Sequence, residues 1–391
     1  MATTLSTKTY DYIIAGAGCA GLSLLYRILL EPELCSKEIL IIDREKKSND
    51  DITWCFWEKS PDIFEPTVYH QWDILDFKSQ FFNNELDIIP YTYKMIRGLD
   101  FYNFVYQFAT ACPNVHFMQS KICSMQVTGD QVEVATSDGT YKAAYAFNST
   151  RLFQPDTQAD QHSLYMHFKG LTIRTEAPVF NHGKGTLMDF NVNQHDGMAF
   201  MYMLPTSPNE ALLEYTVING AVLNPGAYDE ALQTYINEAL HLSQVKIVRE
   251  ESGIIPMTKK KFPVHHKQRI IHIGTAGGCV KASSGYAFQF IQRQTAKIVM
   301  NLKQNRKPIV KCSFRDKKFN LYDNAFLEVL ISGKMRGDEL MSRIFKYNSG
   351  GTVLAFLDNE SSFTDEFNMM TTLPANIFLP VTLKEFFRKA S

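Results

Sequence analysis

The run Tyr10-Asp11-Tyr12-Ile13-Ile14-Ala15-Gly16-Ala17-Gly18-Cys19-Ala20-Gly21 decides how the rest of the chain is read. Residues 10–14 are short, apolar and β-branched at their end, which predicts a buried strand. The G-x-G-x-x-G pattern follows at once, and residues 22–30 then repeat apolar side chains at helical spacing until Pro32 stops them. Residues 38–42 predict a second strand with Asp43 at its C-terminal end. Strand, glycine loop, helix, strand and acid in that order form a dinucleotide-binding unit. Each part has a physical task. Gly16 allows the tight turn, Gly18 lets backbone approach a pyrophosphate, and Gly21 lets the helix lie close to the strand. The helix start at Cys19 and Ala20 offers unpaired N–H groups and partial positive charge to phosphates. Asp43 can accept from a ribose hydroxyl. The plainer alternative is a glycine-rich turn that binds nothing, but position, spacing and acid all agree on the first reading.

Composition narrows the class. The 391 residues are long enough for two or three lobes, with 45% apolar and 21% charged residues, the balance of a globular protein. A net charge of −1 points away from nucleic acid. The seven cysteines are scattered, with no C-x-x-C pair, so we expect a reduced, cytoplasmic protein without a metal site. No stretch reaches the roughly 18 apolar residues of a spanning helix, and the first nine residues lack the apolar core of a signal peptide. The 28 Phe and 18 Tyr suit a large apolar or planar ligand.

Downstream, residues 44–51 read as a loop. Thr53-Trp54-Cys55-Phe56-Trp57-Glu58 sets two tryptophans and a phenylalanine beside an acid, close to the far end of a bound cofactor or as an anchor for a long loop. Residues 88–96 predict a strand, 101–111 a helix, and 115–148 an antiparallel meander whose last strand returns to a parallel sheet, the threading of flavin-binding hydroxylases. Residues 162–219 predict a second, mostly antiparallel sheet, with Asp189 and Glu214 inside apolar runs. A carboxylate there is costly unless paired or protonated, and the bland alternative puts both on a solvated face. A helix over 228–242, a strand over 269–273, the glycine run 274–278 and a helix over 287–302 follow. This second strand–glycine–helix unit can wrap the far side of an extended dinucleotide through Gly274, Gly277, Gly278, Ser284 and Gly285. Beyond a polar connector, residues 320–391 read as largely helical. Phe378, Leu379, Val381 and Leu383 stand near Lys384, Arg388 and Lys389, which suits a lipid interface or the packing of a helical cap.

Five stretches in this order make the sequence resemble the lycopene cyclase family: Gly16-x-Gly18-x-x-Gly21; Thr53-Trp54-x-Phe56-x-Glu58; Leu187-Met188-Asp189-Phe190; Leu213-Glu214-x-Thr216; and Ile255-Pro256-Met257 with residues 274–278 and Ser284-Gly285-Tyr286. The resemblance covers most of residues 10–300, and the helical tail is similar too. It implies an α/β (α+β) Rossmann-type FAD-binding fold of the hydroxylase-like class, with an antiparallel substrate sheet and a helical C-terminal region. It also implies FAD working in its reduced form with NAD(P)H as reductant, and lycopene or related acyclic carotenoids as substrate, closed to β rings. The family's required acid falls on Glu214. Tyr215 stands where the family motif carries a second acid, so Glu214 acts alone or with a spatial partner such as Asp189 or Glu58.

On this reading residues 8–80, 98–155 and 250–305 form the FAD part. Residues 81–97 and 156–249 form the substrate sheet, and 306–391 a helical region facing a membrane. Burial among Leu212, Leu213 and Val217 would raise the Glu214 pKa, and Trp54 or Trp57 would stabilise a carbocation by cation–π attraction. An apolar polyene lives in the bilayer, so the expected location is cytoplasmic with peripheral membrane attachment. A monooxygenase or prenyl reductase on the same scaffold, and a non-catalytic isoprenoid carrier, are the alternatives.

Overall fold

The computed structural model describes residues 5–155, 163–195 and 197–390. The boundary expected at 155/156 and the sheet start expected at His162 lie outside them. Leu5–Ala15 sits at the centre of a sheet, parallel to Ile39–Asp43 on one side and to Thr140–Asn148 on the other. Ile270–His272 extends the parallel set beyond Thr140–Asn148. Ile13, Ile14 and Ala15 are fully buried, as a strand covered on both faces must be. Helices Cys19–Leu30 and Phe288–Lys303 pack together on one face through Leu22, Leu25, Ile291 and Ile298. Ile122–Thr128 and Gln131–Thr136 lead antiparallel into Thr140–Asn148, so the last meander strand does return to the parallel set. Val115–Gln119 does not belong to that meander. It pairs parallel with Ile39–Asp43.

The second sheet has seven strands in the spatial order Lys246–Met257, Leu164–Arg174, Glu210–Asn219, Met198–Ser207, Lys184–Asp189, Ile74–Lys78 and Asn83–Asp87. Ile74–Lys78 and residues 250–257 of Lys246–Met257, grouped by sequence with the dinucleotide part, pair into this sheet. Their periodicity is masked. Asn83–Asp87 buries only Leu86, and Lys246–Met257 is an edge strand that carries Arg249, Glu250 and Glu251. Thr53–Glu58, Thr92–Arg97 and Val68–Trp72 make a small third sheet. The strand expected over 88–96 begins only at Thr92, because 88–91 form a turn with a cis Ile89–Pro90 bond. One face of the second sheet packs on helix Pro225–Thr234 and a wider π turn, Tyr235–Ala239, where a single longer helix was expected.

Five helices close the other side: Phe314–Ile331, Gly337–Tyr347, Gly350–Leu357, Phe363–Thr371 and Ala375–Ala390. Capping boxes start two of them, Ser313 with Asp316 and Ser362 with Asp365. They are tied to the loop before helix Phe288–Lys303 by Lys281. Its buried ammonium reaches Asp323 at 2.7 Å and Asn359 at 2.8 Å. Asp323→Ala leaves that cation without its anion and should destabilise the fold by about 3–5 kcal/mol. In urea unfolding, the double variant Lys281→Met/Asp323→Ala should recover a large part of the loss.

Candidate active site

A cavity of about 1660 Å³, its mouth included, lies where the parallel sheet, the small sheet and the second sheet meet. Counted as the space that water-sized spheres can occupy it holds about 520 Å³, within the roughly 300–1,000 Å³ of a ligand pocket. One end of it is the glycine loop. Gly18, Cys19 and Ala20 line it, Gly18 caps the helix without a side chain, and no acid stands in the first helical turn. Gly274 and Thr275 line it from the second glycine run, and a Cβ on Gly274 would lie 2.6 Å from the Ala20 Cβ. The two loops are thus packed against each other by the absence of side chains. Gly21 faces away from the cavity. A Cβ there would lie 1.9 Å from the Gly16 carbonyl oxygen, the close helix–strand approach that a glycine permits. The Asp43 carboxylate accepts from the Ala17 N–H at 2.7 Å and the Glu45 N–H at 3.0 Å, so it also braces the loop. An open helix N-terminus beside a side-chain-free loop fits a dinucleotide's pyrophosphate.

The opposite end is apolar, walled by Met166, Phe168, Leu204 and Leu212, with Glu214 among them. Strand pleating decides what surrounds this acid. Leu212, Glu214 and Thr216 point into the cavity, while Leu213, Tyr215 and Val217 point to the helix-covered face. The expected burial of Glu214 by Leu213 and Val217 is corrected accordingly, and Tyr215, next in sequence, cannot share its site. The neighbouring acid comes from another strand. Gly170 pairs with Glu214 on one side and with Glu251 on the other, so the two carboxylates rise from the same face of the sheet. Between them Gly170 has no side chain. A Cβ there would lie 3.0 Å from the Glu251 Cγ and 3.3 Å from the Leu212 Cδ1.

Burial, then the charge of Glu251, pushes the Glu214 carboxyl up to about 8, against a hydrogen bond from Thr216 Oγ1 at 3.0 Å and the more distant Arg249. Burial also raises Glu251, although Arg249 at 3.3 Å and Thr53 Oγ1 at 2.8 Å favour its charged form. Glu251 Oε2 takes those contacts, while its buried Oε1 has no hydrogen-bond partner among the described residues. With its carboxyl pushed up in this way, Glu214 can carry a proton near neutrality, give it up and take it back.

The profile of the family described as "Lycopene cyclase protein" matches residues 11–380. The chain belongs to the lycopene cyclase family. It is similar to the lycopene beta-cyclase of Pantoea ananas, 28% identical over 262 residues, a match covering 64% of this chain and 63% of that protein. Just under two thirds of that relative's length is therefore matched. Among solved structures, a geranylgeranyl bacteriochlorophyll reductase-like protein from Thermoplasma acidophilum superimposes with a TM-score of 0.67. The overlap covers 96% of this chain and 98% of that one at 10% identity. A flavoprotein/dehydrogenase from Cytophaga hutchinsonii gives 0.66 over 98% and 100%, at 11% identity. At such identities the likeness is one of fold. It is the Rossmann-type architecture of the hydroxylase-like flavoproteins, with an added antiparallel sheet and a helical C-terminal region.

Not every residue singled out by sequence reaches the cavity of this lycopene cyclase family member. Trp54 lines it, edge-on to Phe101 at 5.3 Å, and so do Ser284 and Gly285. Trp57 is a core residue that donates to the Leu354 carbonyl at 3.0 Å. Glu58 is held by Lys94 at 2.9 Å and lies off the cavity wall. Asp189 is buried against Tyr235, whose hydroxyl donates to it at 3.0 Å, and is not the partner of Glu214. Gly277 and Gly278 stand behind the wall. A Cβ on Gly277 would meet the His272 carbonyl oxygen at 2.4 Å, and Gly278 has φ +76°. Glu251 went unread because its strand is charged. The available signal was Gly170, an isolated glycine inside the alternating strand pattern of residues 166–174, which marks a close approach.

Proposed function

We propose that the chain is a lycopene β-cyclase, converting lycopene through γ-carotene to β-carotene by acid–base cyclisation of the ψ end groups. The observation that carries this is the Glu214–Glu251 pair, two carboxyls side by side on one face of the sheet, with Glu214 in the apolar wall of the cavity that the glycine loop also lines. Glu214 delivers a proton to C2 of the end group. The C1–C6 bond closes, positive charge moves to C5, and a basic group takes the C6 proton to leave the β ring. Deprotonated Glu214 is that base, so the proton is lent and recovered with no net redox change. Arg249, in contact with Glu251, stabilises the pair while both carboxylates are charged. Trp54 lines the same cavity from the dinucleotide side, packed on Phe101 and Phe288, and is an aromatic face available there for cation–π attraction.

The N–H groups at Gly18, Cys19 and Ala20, with Gly274 and Thr275, would hold FAD, and Asp43 would accept from its ribose with the lone pairs that Ala17 and Glu45 leave free. Reduced FAD held there, with NAD(P)H as reductant, would supply negative charge that stabilises the carbocation. A lycopene-accumulating host expressing the chain should turn from lycopene to γ- and β-carotene. Unchanged lycopene overturns the proposal, and stoichiometric NAD(P)H consumption by the purified protein replaces it with a reductase.

Glu251→Gln removes the like charge that raises Glu214. Glu214 must be protonated to act as acid, so wild-type turnover should fall as the pH passes about 8. In the variant this alkaline limb should move down by roughly one pH unit. An unmoved limb in a pH–rate profile would detach Glu251 from the chemistry.

The expected location is the cytoplasmic face of a membrane. No helix among the described residues is long and apolar enough to cross one. Val381, counted by sequence with the lipid-facing side chains, is buried, while Leu379, Leu383, Phe386 and Phe387 form an exposed face of helix Ala375–Ala390. Phe363 and Phe367 do the same on the preceding helix. Replacing Leu379, Leu383, Phe386 and Phe387 by Gln should abolish co-flotation with anionic vesicles.

A further inference from the structure

Two cavities share one wall. Met166 and Ser284 line both the acid cavity and a second one that runs between the second sheet and the C-terminal helices. As it stands this seam leaves only about 60 Å³ of free room, so a guest enters it by displacing the side chains along it. Met166, Met188, Met198, Met341, Met369 and Met370 lie along it, six of the 15 methionines in the chain. Its few polar groups are mostly engaged. Asp323, for one, is held by Lys281 and Ser283, each at 2.7 Å. Unbranched thioether side chains yield to a sliding guest in a way that branched core residues do not. Two of them occupy space that only glycine leaves. A Cβ on Gly285 would lie 2.4 Å from the Met166 Sδ, and one on Gly337 2.5 Å from the Met198 Cβ.

The ligand class follows from what the acid cavity cannot hold. That cavity must take a dinucleotide and one reacting end group, while the remainder of an acyclic carotenoid is a long, stiff rod without a polar atom. The seam is the apolar space that begins where the acid cavity ends, and the buried Ser284 Oγ at the threshold has no partner among the described residues. Its roof is made by the helices whose outer faces expose Phe363, Phe367, Leu379 and Leu383. We propose that the seam is the binding site for the distal length of the polyene, entered past Met166 and Ser284. This inference rests on the cyclase reading above.

The test fills the seam from two walls, with Ala325→Leu on helix Phe314–Ile331 and Thr382→Leu on helix Ala375–Ala390, in the full-length, flavin-loaded protein. Two substrates are compared: lycopene, and an apo-carotenoid that keeps one ψ end on a shortened polyene. Both variants should lose lycopene turnover by about tenfold or more, yet keep the shortened substrate within about twofold of wild type. Equal losses on both substrates, or no loss, overturn the proposal. Retention of micelle-delivered lycopene through gel filtration, read by its visible absorption, is the second readout, and it must fall in both variants. If the wild type cyclises neither substrate but retains lycopene through the seam, the cyclase reading fails while the binding site stands.

Discussion

Glu214→Gln should abolish ring closure, with turnover down by about 10²–10⁴-fold, while flavin binding and the fold are preserved. The amide is nearly isosteric and its Oε1 can still accept from Thr216 Oγ1, now 3.0 Å from the carboxylate. The variant therefore removes a transferable proton and little else. It also carries an opposite effect on stability. In the folded protein the Glu214 pKa lies above its ordinary 4.5, so ionisation disfavours the native state. Wild type should lose stability as the pH climbs from the unfolded value toward about 8, at about 1.4 kcal/mol per pH unit across that window. Glutamine has no such loss. The variant should melt above wild type at pH 8 and match it near pH 4. A variant that cyclises lycopene at the wild-type rate, or one whose melting advantage does not grow with pH, contradicts the assignment.

Two glycines three positions apart should fail in different ways. Gly21→Ala should prevent flavin binding and lower the melting temperature, because its Cβ would fall 1.9 Å from the Gly16 carbonyl oxygen and 3.0 Å from the Ile14 Cγ2. Both the helix and the strand are backbone-anchored there, so the overlap can be relieved only by parting them. Gly18→Ala meets no atom within 4 Å, and Gly18 has φ −81°, which any residue adopts. This variant should melt like wild type. Its added methyl stands in the space that a pyrophosphate would use, so it should lose yellow colour on purification all the same. Flavin content by absorbance set beside melting temperature separates the two. A Gly18→Ala protein with a full flavin complement would remove the dinucleotide from this loop.

The nucleotide half was legible because its signals are local. Residues 10–43 place a strand, glycine loop, helix and acid within one short span, each needed by its neighbour, and the structure has the same elements with boundaries moved by a few residues. The family was legible for a related reason, since five short motifs in fixed order carry more information than any one pattern. Glu214 could be singled out because a carboxylate inside an apolar β run is physically expensive. Its setting could not be read. Alternation tells which residues share a face, but not which strand lies beside them. The pairing of Glu214 with Glu251 across Gly170 joins residues from three strands, 44 and 37 positions from one to the next. No local pattern encodes that register, which the packing of the whole sheet selects. Likewise Trp57, Glu58 and Asp189 looked like site residues in sequence. Only the tertiary structure sends the first into the core, the second to Lys94 and the third beneath Tyr235, because contact between distant segments decides which buried polar group already has its partner.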